Sequence, residues 1–141
     1  MNTKNQKINH YSCGVICFHD DNVLVILQHN GHWSFPKGTQ EEGESDLETA
    51  LRELHEEAGI EEVEIDKVFC HKEKYFTDFP DGRKLKQVTY FIGNVLSPEV
   101  TVDQNEVVDS KWLVPKEALE QLTYDSTKDT LLVVLKHKNL L

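Results

Sequence analysis

The chain has 141 residues, of which 38% are hydrophobic and 28% are charged, and its formal net charge at pH 7 is −10. This length is enough for one domain with its own hydrophobic core, and the composition excludes a mainly disordered chain. A field this negative repels polyanions, which excludes a broad nucleic-acid-coating surface. A polyanionic substrate therefore requires bound cations or a local basic patch. We predict a single domain over residues 1–141 with no stable nucleic-acid partner.

Membrane and export signals are missing from the sequence. The longest apolar runs, such as Val23–Leu27 and Leu131–Leu135, are too short to span a bilayer. Residues 1–10 are polar and lack the basic start and apolar stretch of a secretory leader. The three cysteines form no CxxC pair, which favours reduced thiols. These features predict a cytoplasmic protein with no membrane partner, and they leave the oligomeric state open.

Two short apolar runs open the predicted structure. Gly14–Phe18 and Val23–Leu27 are separated by the polar residues 19–22, which predicts a β-hairpin. Both runs are nearly continuous in apolar residues, so we expect the sheet to be covered on both faces. A turn at residues 30–31 and a short extended segment at Trp33–Phe35 follow.

The clearest predicted helix is Ser45–Ala58. Ser45 and Glu48 have the spacing of a capping box, and Gly59 stands where a left-handed helix stop belongs. Each helical residue advances by about 100°, so five apolar residues fall on one face and predict a core-facing stripe. These residues are Leu47, Ala50, Leu51, Leu54 and Ala58.

The rest of the chain predicts further strands and two helices. The predicted elements are a strand at Glu62–Phe79, a turn at residues 79–82, strands at Lys84–Val95 and Lys111–Val114, and helices at Pro115–Leu122 and Ser126–His137. Strands on either side of one helix, with helices at the end, predict an α/β (α+β) fold in which helices sandwich a mixed β-sheet.

Three glutamates, Glu53, Glu56 and Glu57, share a face beside the apolar stripe of the predicted helix. Carboxylates this close repel, raise one another's pKa and, near a helix C-terminus, oppose the macrodipole. A hard divalent cation such as Mg²⁺ would compensate them, because it prefers carboxylate oxygen. Arg52 lies four residues from Glu48 and from Glu56 and can pair with either. On the helix alone, a solvated acidic face is an equal alternative.

The spacing around these glutamates matches a known motif. Gly38 is followed after five residues by Glu44, and after seven more by the run Arg52–Ile60. These residues reproduce every defined position of the Nudix box, so the chain resembles the Nudix hydrolases over residues 38–60. The resemblance implies a helix–sheet–helix sandwich. It also implies hydrolysis of a nucleoside diphosphate linked to another group, with Mg²⁺ as the cofactor and Mn²⁺ able to substitute.

The resemblance further implies metal ligands. Glu53, Glu56 and Glu57 match the family's ligands, and the carbonyl of Gly38 often joins them. Glu106 matches a loop glutamate that many members use as an extra metal ligand or as a base.

Catalytic roles follow from the same resemblance. Arg52 and Glu44 match the positions that orient the helix and the loop before it. The implied catalytic residues are Glu53, Glu57, Arg52 and Glu106. The general base is open between Glu53 and Glu106.

Residues outside the box resemble one branch of the family, the asymmetrical diadenosine tetraphosphate hydrolases. The run His32–Gly38 carries this likeness, as does Lys86–Phe91, which resembles a strand that brings a lysine and a tyrosine to the substrate. The resemblance implies a small-molecule nucleotide substrate that water cleaves at phosphorus to give ATP and AMP.

Strand alternation predicts a matching surface. If Asp81-Gly82 is a two-residue hairpin loop, Tyr75 pairs with Val88. One face then carries two aromatic rings for bases and two ammonium groups for phosphates. With Lys37 before the box, the candidate substrate-binding residues are Lys37, Tyr75, Lys84, Lys86 and Tyr90. The alternative is that Tyr90 lies in the core and the lysines protect an edge strand.

Three functions remain open at this point. The first is the dinucleoside tetraphosphate hydrolase. The second is a Nudix pyrophosphohydrolase that acts on RNA 5′ triphosphate ends or on oxidised nucleoside triphosphates, which Lys37 and the net charge disfavour. The third is a non-catalytic binding module, which the complete set of box glutamates disfavours.

Overall fold

The computed structural model describes residues 7–141, so residues 1–6 of the polar N-terminal segment lie outside the description. Within it, one mixed sheet forms the centre. Its strands are β1 (His10–His19), β2 (Asn22–Gln28), β3 (Trp33–Ser34), β4 (Lys37–Thr39), β5 (Glu64–Ile65), β6 (His71–Phe79), β7 (Gly82–Asn94) and β8 (Val107–Leu113). The helices are α1 (Asp46–Ala58), α2 (Pro115–Gln121) and α3 (Asp125–His137).

Pairing within the sheet brings distant parts of the chain together. The path runs β3-β2-β1-β7-β5, while β4 pairs with β1, β6 with β7 and β8 with β2. β1 and β7 are parallel, with His10 opposite Lys86, and the other pairs are antiparallel. β4 lies against the first half of β1, with Gly38 opposite Cys13. The mixed sheet that the sequence predicts is confirmed.

Helices cover both faces of the sheet. On one face, Ala50, Leu54 and Ala58 of α1 pack on buried side chains of β1 and β2. On the other, α2 and α3 pack on Phe18, Val88 and Tyr90 of the sheet, and α3 contributes Leu131 and Leu135 to this cluster. The helix–sheet–helix sandwich is therefore confirmed. Within residues 7–141, no helix is long and apolar enough to cross a membrane.

Local sequence fixes both ends of α1. The hydroxyl of Ser45 accepts a hydrogen bond from the Glu48 N–H at 3.1 Å, and the Glu48 carboxylate accepts one from the Ser45 N–H at 3.0 Å. Gly59 adopts a φ of 68°, in the left-handed region that favours glycine. Both predicted caps are confirmed.

The buried face of α1 differs from the predicted apolar stripe. Leu47 is 36% exposed, whereas Glu53 and Glu57 are only 8% and 5% exposed. The helix is thus rotated so that part of its acidic face turns toward the sheet. Apolar periodicity could not predict this, because the burial of these carboxylates opposes the hydrophobic pattern.

The predicted strand Glu62–Phe79 is wrong as a single element. The structure divides it into β5 and β6, with a turn between them. The carboxylate of Asp66 accepts a hydrogen bond from the Val68 N–H at 3.0 Å, which closes an Asx turn that ends the strand.

The register of the β6–β7 hairpin is also corrected. Phe79 pairs with Gly82, so the loop is Pro80-Asp81, and Tyr75 pairs with Lys86 rather than with Val88. A shift of two residues leaves every side chain on its face. Tyr75 and Lys86 therefore still share a face of the sheet.

We expect Ser45→Ala to lower the free energy of unfolding by about 1 kcal/mol, because the N-cap hydroxyl is lost. Urea unfolding followed by circular dichroism measures this. Ser126→Ala is the matched control, since Ser126 lies in the first turn of α3, where no side chain caps the helix. Equal losses in both variants would contradict the role of the cap.

Candidate active site

A cleft of about 660 Å³ opens where α1, β4 and two loops meet. The glutamates that the sequence singles out line it together. The sequence-predicted residues in its wall are Lys37, Gly38, Arg52, Glu53, Glu56, Glu57 and Glu106. Residues from three separate segments thus converge on one site.

Three carboxylates of the cleft form a compact cluster. One oxygen each of Glu53, Glu56 and Glu106 lies within 4.8 Å of the others. Glu53 and Glu56 come from α1, while Glu106 comes from the turn before β8. A cluster of carboxylate oxygens is the donor set that Mg²⁺ prefers.

Gly38 allows this cluster to lie against the sheet. A Cβ at position 38 would overlap the carboxylate of Glu53. The missing side chain therefore gives Glu53 a place directly beside the backbone of β4. The residues present fit a divalent cation, because the cluster supplies oxygen donors and the cleft admits solvent and substrate.

Arg52 organises the acidic surroundings. Its guanidinium binds both carboxylate oxygens of Glu44, with Nε–Oε2 at 2.7 Å and Nη2–Oε1 at 3.0 Å. Nη1 also donates to Glu53 at 2.9 Å and to Glu56 at 3.2 Å, and Nη2 donates to the carbonyl of Thr39 at 3.0 Å. One arginine thus ties α1 to the preceding loop and to β4.

The glutamates near Arg52 differ in their hydrogen-bond partners. The hydrogen bond from Arg52, together with one from the Glu41 N–H, lowers the pKa of Glu44 to about 2. Glu48, by contrast, is engaged in the helix cap. Of the two partners that the sequence allows for Arg52, the structure places Glu56 in contact.

Glu57 is a carboxyl of the cleft whose charged form burial strongly disfavours. It accepts a hydrogen bond from the backbone N–H of Lys37 at 2.8 Å. Burial nonetheless raises the pKa of its carboxyl to about 8, with a further contribution from Glu53. The charged form of this buried carboxylate is therefore disfavoured unless further positive charge lies close to it.

A basic and aromatic surface adjoins the cleft on the other side of Lys37. His10 of β1 lies opposite Lys86 of β7, and Lys84 lies on the same face two residues away. Burial lowers the pKa of His10, and the positive charges of Lys86, Lys37 and Lys84 lower it further. The Nζ of Lys86 lies 6.0 Å from the ring centre of Tyr75. Lys84 also forms an ion pair with Asp81 at 3.0 Å. The structure thus groups four of the five predicted substrate residues.

Tyr90 does not belong to this surface, and its prediction as a base-stacking residue needs correction. Its side chain is 0% exposed and packs edge-on against Phe35, with ring centres 5.7 Å apart. Strand alternation correctly predicts which face of the sheet carries Tyr90, but α3 covers that face at this position. The alternative of a core tyrosine is the one the structure supports.

Sequence reasoning missed several residues of the site. His29, Asn30 and Asn105 line the cleft, and the His29 ring bonds to the carbonyl of Gln104 at 2.7 Å. The Asn-Gly pair at residues 30–31 predicts the turn in this loop, but it does not predict that the loop lines the cleft.

A stacked pair beside Tyr75 was missed as well. The rings of His32 and Tyr124 stack with centres 4.7 Å apart, and the Tyr124 hydroxyl lies 3.0 Å from His32 Nε2. Burial raises the pKa of Tyr75 to about 12, with further contributions from Glu73 and Tyr124, so Tyr124 lies within electrostatic range of Tyr75. The two residues of the pair are far apart in sequence, so no local pattern could reveal it.

Comparison with known proteins agrees with this geometry. The family model described as NUDIX domain matches residues 8–133. A rat bis(5'-nucleosyl)-tetraphosphatase [asymmetrical] is 31% identical over 133 residues, covering 85% of this chain and 89% of the relative. An RNA pyrophosphohydrolase from Nitratiruptor sp. is 34% identical over 106 residues, covering 65% of this chain and 64% of the relative.

Solved structures share the fold. A Caenorhabditis elegans Ap4A hydrolase, in a structure described as a binary complex, superposes with a TM-score of 0.82 at 22% identity. The match covers 92% of this chain and 98% of that one. With the complete motif, the converging glutamates and the match over most of its length, the chain belongs to the Nudix hydrolase family.

Proposed function

We propose that the protein is a Mg²⁺-dependent pyrophosphohydrolase that cleaves diadenosine tetraphosphate asymmetrically to ATP and AMP. The observation that carries the proposal is the position of Lys37 between two unlike surfaces. On one side lie the glutamates of the cleft, and on the other lie Lys86 and Tyr75. A long polyphosphate that ends in a nucleoside fits this sequence of charges.

Glu53, Glu56 and Glu106 would hold the cation, with Glu57 and the Gly38 carbonyl beside them. Mn²⁺ would substitute for Mg²⁺, since both accept carboxylate oxygen. A bound cation supplies neutralisation of phosphate charge and a lower pKa for the attacking water. Glu53 or Glu106 would accept a proton from the attacking water, and Arg52, which donates a hydrogen bond to Glu53, would fix the orientation of that carboxylate.

The basic surface would hold the remainder of the substrate. Lys37, Lys84 and Lys86 provide the local positive charge that a tetraphosphate requires in a chain of net charge −10. An adenine would stack on Tyr75, with the His32–Tyr124 pair as a second wall. The rat relative, named as an asymmetrical tetraphosphatase, supports this substrate over others.

The second candidate is an RNA 5′-end pyrophosphohydrolase. The likeness to the Nitratiruptor enzyme favours it, although that match covers a smaller share of both chains. The two functions share the glutamate cleft and differ in the surface that they require beyond Lys37. A dinucleotide needs a compact surface there, whereas an RNA chain needs a basic track that continues further along the protein.

We expect Glu56→Gln to lower kcat by about a hundredfold or more, because one charged metal ligand is lost. Initial rates with Mg²⁺, compared with rates in excess chelator, measure the dependence on metal. Glu62→Gln removes the same charge from an exposed position outside the cleft and should leave kcat unchanged. Full activity of Glu56→Gln, or of the wild type in chelator, would contradict metal catalysis.

We expect Glu57→Gln to stabilise the metal-free protein above pH 8. The pKa of Glu57 in the folded protein, about 8, lies above its ordinary value of 4.5. The contribution of Glu57 to stability is therefore fully present below pH 4.5 and lost as the pH rises through 8.

Chemical unfolding in chelator at pH 5 and pH 9 checks the sign of this effect. The gain for Glu57→Gln should be about 1 kcal/mol or more at pH 9, clearly smaller at pH 5, and near zero only below pH 4.5. Added Mg²⁺ should stabilise the wild type more than the variant. A variant that is less stable than the wild type at pH 9 in chelator would refute this account of Glu57.

We expect diadenosine tetraphosphate to give equimolar ATP and AMP. Water attack on the phosphorus that becomes AMP would place ¹⁸O from labelled solvent in AMP and not in ATP. Chromatography with mass spectrometry resolves the products. Formation of two ADP molecules would exclude the proposed reaction, and a higher kcat/KM for triphosphorylated RNA would favour the second candidate.

A further inference from the structure

A buried carboxylate lies beneath the lysines of the basic surface. Glu73 stands on β6 and is only 5% exposed. It pairs with Val88 of β7 and shares the face of Tyr75 and Lys86. α3 covers this position, and the hydroxyl of Thr130 donates a hydrogen bond to Glu73 Oε1 at 2.7 Å.

Fold stability does not require a carboxylate at this position. Burial raises the pKa of Glu73, and a well-packed apolar side chain would avoid that cost. Within residues 7–141, no lysine or arginine forms a direct ion pair with it. Two nearby buried hydroxyls, those of Ser12 and Tyr90, also have no hydrogen-bond partner in this part of the chain. The region therefore contains buried polar groups that lack hydrogen-bond partners within residues 7–141.

Lys86 is a cation on the same face of the sheet as this carboxylate, which also acts on Lys37. Tyr75 pairs with Lys86 across the hairpin, and Glu73 is the diagonal neighbour on the same face. Diagonal positions have Cβ atoms about 7–8 Å apart, within reach of long side chains. The other titratable groups around Lys86 and Glu73 are Lys37 from β4, His10 from β1, Tyr75 from β6, Lys84 and Tyr90 from β7 and Asp129 from α3.

Without Glu73, the surroundings of Lys86 disfavour its charge. Burial, and after it the charge of Lys37, lowers the pKa of Lys86 to about 8. Glu73 acts in the opposite direction. Asp129, on α3, raises the pKa of Glu73 further.

We propose that Glu73 is a positioning residue that keeps Lys86 charged for the polyphosphate of the substrate. The proposal rests on the proposed function for the identity of that polyphosphate. Glu73 itself touches no reacting atom, and its effect passes through the neighbouring lysines, Lys86 and, to a further extent, Lys37. Loss of the carboxylate should therefore weaken substrate binding and leave the chemical step at the glutamate cleft unaltered.

The first measurement needs no substrate. Protein labelled with ¹³Cε-lysine is titrated by NMR, and Lys86 is assigned by the signal that is absent from Lys86→Met. In Glu73→Gln the midpoint of Lys86 should fall below its wild-type value, because an opposite charge is removed. Glu64→Gln, an exposed glutamate on β5, is the matched control and should leave the midpoint in place. An unchanged midpoint in Glu73→Gln overturns the proposal.

The second measurement separates binding from turnover. With diadenosine tetraphosphate and Mg²⁺, Glu73→Gln should raise KM by about three- to tenfold at pH 8, with kcat changed by less than about twofold. The rise of KM with increasing pH should also begin at a lower pH than in the wild type, because Lys86 loses its proton earlier. A fall in kcat with KM unchanged overturns the proposal.

A double-mutant cycle tests whether the effect passes through Lys86. Glu73→Gln should raise KM in the wild-type background and raise it clearly less in the Lys86→Met background, where only the coupling to Lys37 remains. An equal effect in both backgrounds overturns the proposal in favour of a purely structural role. If Glu73→Gln does not fold, Thr130→Val, which removes the hydrogen bond and keeps the charge, takes its place in the same cycle and should raise KM through loss of orientation alone.

Failure of the proposed function leaves a different signature. If the wild type does not cleave diadenosine tetraphosphate, the substrate is wrong, and the NMR titration of Lys86 still decides the role of Glu73. If the wild type cleaves it and Lys86 titrates identically with and without Glu73, the substrate stands and the positioning role is refuted.

Discussion

The structure depends on the burial of like charges on one helix. Glu53 and Glu57 of α1 turn toward the sheet, where an apolar helix face would ordinarily lie. This arrangement is stable only because the neighbours compensate it in part. Arg52 binds Glu53, and a backbone N–H binds Glu57. The remaining negative charge gives the cleft a set of oxygen donors that fits a divalent cation, so under the proposed function folding and catalysis depend on the same carboxylates.

A second charge pattern complements the first on the other side of Lys37. The acidic cleft and the lysine surface adjoin in a chain whose total charge is strongly negative. Glu73 lies on one side of the lysines, and the glutamates of the cleft lie on the other. Lys37 lies near the cleft glutamates and near Glu73, and it interacts electrostatically with both. Such close alternation of sign favours an elongated anion with cations at one end over a uniformly charged polymer.

Local patterns in the sequence predicted local structure well. The caps at Ser45 and Gly59, the glutamates of the box and the covered faces of the sheet all follow from short-range spacing. The break at Asp66 was missed because an Asx turn competes with a β-favouring run. Tyr90 shows the other limit, since alternation assigns a face but not the helix that covers it. The stacking of His32 on Tyr124 depends wholly on tertiary packing and has no counterpart in any sequence window.

The parallel pairing of β1 with β7 has a consequence for how the protein acquires its cleft. β4, which carries Gly38, is held by β1, and β1 is held in turn by a strand from the second half of the chain. Contacts between such distant segments form only at a cost in loop-closure entropy. A chain that lacks this pairing also lacks the wall against which Glu53 lies. A cation bound in the cleft would therefore stabilise the folded protein relative to the unfolded chain.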